Sequence, residues 1–151
     1  MCGGETSNAK FEMRNAKALG EIVPEFNLKV RTKAFALEVV ALVEELPAGR
    51  SADSIGNQLL RSGTSVGANY RAACHARSRR EFIAKLGIVE EEADESQFWM
   101  DLIIARGWAD ADRVTKLRDE ARQLVAIVVT SIRTARRTPR PISHSAFRVS
   151  H

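Results

Sequence analysis

Cys74 and His75 are neighbours, and a thiol beside an imidazole is one starting point for nucleophilic catalysis. Adjacent residues of a helix, however, point about 100 degrees apart and do not face each other. Cys74 is therefore read as a small packed side chain. The run "EEEADE" from Glu90 to Glu95 raises the question of a metal. A dinuclear site in a helical bundle needs glutamates from four helices and two Glu-x-x-His pairs. Here Ala72 stands three residues before His75, the other histidines are His144 and His151, and the glutamates come from one stretch. The letters of Gly63-Thr64-Ser65-Val66-Gly67 fit Gly-x-Ser-x-Gly, but they fall inside a helical stripe and not on a strand-to-helix elbow, and no Walker loop or His-Glu-x-x-His motif occurs. The expectation is no catalytic residue, no metal and no cofactor. The acids are read as a charged helix face, with Glu92 or Glu95 in reach of Arg61. A guanidinium suits that role because its planar fork meets a carboxylate with two hydrogen bonds.

The cations offer a different chemistry. Arg71, Arg77, Arg79, Arg80 and Lys85 crowd one stretch with Glu81 as the only acid, and Arg133, Arg136, Arg137, Arg140 and Arg148 occur in an acid-free C-terminal stretch. Such a cluster could hold a phosphate backbone without reading sequence. Its competing reading is a solvated helix end, where cations complement the helix dipole.

These side chains need elements to carry them. The chain has 151 residues, a net charge of +4, four prolines and nine glycines, which leaves long uninterrupted segments. That is the size of one domain, and the pattern favours helices over many short strands. Cys2 and Cys74 make no disulfide framework. No apolar stretch approaches a bilayer span, and "MCGGETSNAK" lacks the apolar core of a signal peptide, so a cytoplasmic location is expected.

Positions alternating by four and three pick out four apolar stripes. They are Leu28–Thr32–Phe35–Val39–Leu42–Leu46, Ile55–Leu59–Ser62–Val66–Asn69–Ala73, Phe82–Leu86–Val89–Ala93–Ser96–Met100–Ile103 and Val114–Leu117–Ala121–Leu124–Val128–Ser131–Ala135. Pro47 with Gly49, "HARSRRE" and Gly107 separate them. Ser51 or Asp53 is the expected N-cap of the second helix, and Ser78 with Glu81 a capping box for the third. Short connections make neighbours antiparallel, so the expected fold is all-α, an antiparallel up-down-up-down four-helix bundle. It occupies residues 26–137, between a leader, 1–25, and a basic tail, 138–151. Within the second stripe, Gly63, Gly67 and Ala68 would let a neighbouring backbone approach. Ser62 and Asn69 would be polar residues of the seam, with Asn69 fixing register.

The run "QLLRSGTSVGANYRAACHARSRREFIAKLGIVEEEADESQFWMDLI" resembles a bacterial family first noticed as open reading frames in intervening sequences of 23S ribosomal RNA genes. Gln58, Arg61, Ser62, Ser65, Ala68, Asn69, Phe82, Leu86, Glu92, Glu95 and Trp99 each match its pattern. "LKVRTKAFALEVVALVEELP" and "AIVVTSIRTARR" resemble its first and last helices, so the likeness runs from about Phe26 to Arg137. The sequence departs at Arg31, where members often carry an aromatic, and at Ala72, where an acid is common. The resemblance implies a homopentamer whose bundles pack into a ring. It also implies kinship with the accessory variability protein of diversity-generating retroelements, which binds a reverse transcriptase and nucleic acid through basic surfaces.

Together these readings give a non-enzymatic bundle that forms a ring and binds RNA or DNA through Arg71, Arg77, Arg79, Arg80 and Lys85. Arg61, Ser62, Asn69, Glu92 and Glu95 form the structural seam. The rival reading is a scaffold for a protein partner, a reverse transcriptase or another, with no membrane involved.

Overall fold

Asn27 starts the first helix by accepting hydrogen bonds on its side-chain oxygen from the N–H groups of Lys29, at 3.1 Å, and Val30, at 3.3 Å. These are two of the four donors that a helix start leaves without intrahelical partners. The computed structural model describes residues 27–137, which form four helices and no strand. They are α1 (Leu28–Glu44), α2 (Arg50–Cys74), α3 (Arg79–Arg106) and α4 (Ala111–Arg137). The leader, Phe26 and the basic tail lie outside the described residues.

The connections show how the sequence sets each boundary. Between α1 and α2 the chain turns at Gly49, whose φ of 149° favours glycine. Gly49 is itself the N-cap and has no side chain to contribute. This corrects the expectation of a cap at Ser51 or Asp53. Both lie inside the helix, and the Asp53 N–H already bonds the Gly49 carbonyl at 2.8 Å. Before α3, the Ser78 hydroxyl accepts the Glu81 N–H at 3.0 Å. The Glu81 carboxylate reaches back to the N–H of Arg77, one residue ahead of the cap, at 2.9 Å. After α3, Gly107 adopts the left-handed conformation, with φ 63°. Its N–H bonds the Ile104 carbonyl at 3.0 Å, and the Trp108 N–H bonds that of Ile103 at 3.2 Å, a Schellman closure. Asp110 then accepts the Arg113 N–H at 2.8 Å to begin α4.

Cross-helix pairs fix the directions. Going up α2 from Gly56 through Gly63 to Gly67, the neighbours on α1 run down from Val43 through Val39 to Thr32. Arg61 meets Glu92 and Glu95, Arg118 meets Asp101, and Arg31 meets Glu120 while Arg113 meets Glu45. Each helix thus runs antiparallel to its neighbours, and α1 closes against α4 more sparsely than the other pairs close.

The core lies along the inner stripes. In α3 all seven expected positions, Phe82 to Ile103, are buried. In α1 the stripe from Leu28 to Leu42 is buried, with Leu46 packed at its edge. In α4, Ile132 takes the inner place expected of Ser131, whose hydroxyl turns to the Ile127 carbonyl at 2.9 Å. Helix α2 differs most, because its buried line includes Ala52, Gly56, Leu59, Gly63, Val66, Tyr70 and Ala73. Each fully buried large side chain, such as Phe35, Leu59 or Leu124, contributes roughly 1.5–3 kcal/mol by leaving water.

Candidate nucleic-acid interface

Arginines occupy two settings in the bundle. The first is its middle. Arg61 on α2 spans two turns of α3: one amino group lies 3.2 Å from a Glu92 oxygen, and the other bonds Glu95. The Trp99 indole N–H donates to the same Glu95 carboxylate at 3.0 Å. Hydrogen bonding to Arg61, then to Trp99, holds the Glu95 carboxyl below its ordinary value of 4.5. Glu95 first, and the nearby Glu92 charge next, hold the Arg61 guanidinium above its ordinary value.

Behind this pair, the hydroxyls of Ser62 and Ser96 meet at 2.9 Å, both fully buried. Ser62 faces the Leu59 carbonyl at 3.3 Å and Ser96 that of Glu92 at 2.8 Å, so each buried hydroxyl has its partners. Asn69 is not with them. It is half-buried, and its amide donates to the Ser65 carbonyl of its own helix at 2.9 Å. This corrects the expectation that Asn69 sits on the seam and sets register: the next residue, Tyr70, takes the inner place. Ala68, expected to admit a neighbour, is exposed. Register comes instead from Gly63, where an added Cβ would lie 2.7 Å from both methyls of Val39.

A third pair was not legible in the sequence. Arg31, the position where the family often has an aromatic, reaches across to α4. Its Nε lies 2.5 Å and one Nη 2.8 Å from the two oxygens of Glu120, and that Nη lies 2.6 Å from Gln123. The Glu120 hydrogen bond raises the Arg31 pKa against the opposing effect of burial.

The second setting is one end of the bundle. The last turn of α2 carries Arg71, the connection carries Arg77, and α3 begins with Arg79 and Arg80, with Lys85 farther along. Because α4 runs antiparallel to α3, its last turns bring Arg133, Arg136 and Arg137 to this same end. Arg71, Arg77, Arg80 and these three are exposed, while Arg79 and Lys85 are half-buried. The side chains of Arg71, Arg77, Arg80, Lys85, Arg133, Arg136 and Arg137 have no carboxylate within ion-pair distance among the described residues. The one acid there among the described residues, Glu81, accepts from the Arg77 N–H. Among the described residues the result is an end-face of positive charge. Arg140 and Arg148 lie outside the described residues.

Cys74 is half-buried at the end of α2, and His75 is exposed. Among the described residues no group of His, Cys, Asp and Glu is placed to hold a metal, and no helix is long and apolar enough to cross a membrane.

Comparison with known proteins agrees with this architecture. The model of a family described as 23S rRNA-intervening sequence protein matches residues 26–130. No curated protein matches the chain. A crystal structure of a protein with unknown function, from the S23 ribosomal protein family of Bacteroides thetaiotaomicron, is similar with a TM-score of 0.65 and 31% identity. The match covers 70% of this chain and 97% of that one.

Proposed function

The chain belongs to the 23S rRNA-intervening sequence protein family, and from that premise we propose that it is a non-enzymatic, cytoplasmic nucleic-acid-binding protein. It assembles into a ring-like homo-oligomer, a pentamer, and holds RNA or DNA on a basic rim. One observation carries this reading: Arg71, Arg77, Arg80, Lys85, Arg133, Arg136 and Arg137 converge at one end, and among the described residues no carboxylate lies within ion-pair distance of them. Unpaired guanidinium groups repel one another and gain most from a polyanion, whose condensed counterions are released on binding. In a ring the end-face repeats around the axis and the fields add. The ring itself is supported by the outer face of α1, where Val30 is 63% and Leu37 60% exposed, apolar surface of the kind that contacts between copies cover.

The test is retention on immobilised RNA and DNA over a salt series, with the mass measured by light scattering. The expected result is binding at low salt that falls linearly on a log–log plot, and a mass of five chains. Absence of binding at low salt overturns the nucleic-acid reading, and a monomeric mass overturns the ring. The exposed apolar residues also favour a second reading, a scaffold for a protein partner such as a reverse transcriptase. Capture of one defined polypeptide that survives nuclease treatment would favour it.

A further inference from the structure

Helix α3 is engaged on three sides. Its inner stripe is buried, Glu92 and Glu95 lean toward α2, and Asp101 is paired by Arg118 of α4. Its remaining side meets no other helix among the described residues. Along it, rising by three and four residues, stand Ala84, Gly87, Glu91, Asp94 and Phe98. At Gly87 an added Cβ would meet nothing within 4 Å, so this part of the face is low and open. Glu91 and Asp94 have no cation within ion-pair distance among the described residues. Phe98 is 54% exposed, and it does not hang loosely. Its ring meets that of Trp99 edge-on, with centroids 4.9 Å apart and planes at 68°, and Trp99 is tied to Glu95. An aromatic ring held in place beside unneutralised carboxylates suits a segment that is both cationic and apolar.

The chain carries such a segment. Residues 138–151 contain Arg140 and Arg148, no acid, and the apolar Ile142, Phe147 and Val149. They follow Arg137, which the antiparallel course of α4 sets beside the start of α3. At 1.5 Å per helical residue, Phe98 lies about 24 Å along α3 from the level of Phe82. The ten residues from Arg137 to Phe147 span up to about 35 Å when extended, enough to reach it with slack. At the same pitch Arg140 stands about 10 Å along, and its long side chain covers the remaining step to Glu91 at about 13 Å.

We infer that the outer face of α3, from Gly87 to Phe98, is a docking strip for the chain's own C-terminal segment, with Phe147 against Phe98 and Arg140 and Arg148 among the carboxylates. This inference stands apart from the nucleic-acid reading and survives its failure. The test uses the full chain with p-benzoylphenylalanine replacing Phe98, nuclease-treated, illuminated and mapped by mass spectrometry. Light and heavy isotope-labelled chains are mixed beforehand to separate links within one polypeptide from links between two. The expected product joins position 98 to residues 138–151 of the same polypeptide. Its yield falls at least fivefold in the variant that adds Arg140→Glu and Arg148→Glu, and also falls between low and high salt. A link to another copy, a link to any other segment, no link, or a yield indifferent to those arginines overturns the inference. Phe98 is exposed and outside the core, and a melting temperature within about 2 °C of the parent verifies that the labelled chain is folded.

Discussion

The arginines that face acids on a neighbouring helix have found carboxylates, whereas at the end where α2 gives way to α3 and α4 finishes, most of those described have none within ion-pair distance. Arg31, Arg61 and Arg118 reach Glu120, Glu92 with Glu95, and Asp101 on neighbouring helices. Arg71, Arg77, Arg80 and Arg137 project into water. The side chain is the same, so the difference lies in what the facing helix offers at that height. A guanidinium opposite a glutamate ties two helices together. A guanidinium opposite other guanidiniums costs repulsion and is useful only when something anionic arrives. The comparison separates residues that hold the bundle from residues that meet a partner.

Substitutions can break that separation. The largest effect is expected from Arg77→Glu, Arg80→Glu and Arg137→Glu combined. Losing three phosphate contacts at ordinary salt lowers nucleic-acid affinity by about 100-fold and flattens the salt slope by about three, with little change in thermal stability. Equal loss in an Arg61→Ala chain would erase the distinction between middle and end. Next comes Gly63→Ala in the middle. Its Cβ would press on Val39 at 2.7 Å, and overpacking of this kind costs about 1–3 kcal/mol. Denaturant unfolding should show the loss while affinity per folded molecule stays constant. Gly87→Ala, with open space around it, should do the reverse and stabilise by up to about 1 kcal/mol through helix propensity.

The smallest expected effect concerns pH. Glu95 titrates below its ordinary 4.5 when folded, so its contribution is complete above that value and is lost as pH falls through the depressed one. Glu95→Gln should therefore melt closer to the parent at about pH 3 than at pH 6, a trend that scanning calorimetry resolves. A constant gap would mean that the Arg61 contact contributes nothing to the fold.

The same contrast explains what could be read beforehand. Helix α3 was legible throughout, because its inner stripe is an unbroken series of apolar and small residues behind a serine cap. In α2 the stripe marked by side-chain hydrophobicity took in Ile55 and Asn69, while the true line uses Gly56, Gly63 and Tyr70. Glycine gives no apolar signal of its own, because it is buried by what the neighbour inserts. The cap at Gly49 was hidden for a like reason, since its contribution is a backbone angle. The Arg61 partnership followed from charge and spacing across one turn of chain. The bond from Arg31 to Glu120 crosses 89 residues and depends on how α1 lies against α4, which no local pattern encodes. The clustering of Arg133, Arg136 and Arg137 with Arg77 and Arg80 emerged only once α4 was seen to return to the start of α3.

The hollow at Gly63 has one more effect. With the Val39 branch seated in it, the first two rods are keyed like a lock wafer: shifting either by a single residue would drive the branch into a side chain. The height at which the first rod starts is thereby pinned, and the Asn27 cap keeps one fixed level beside the closing turns of the second rod.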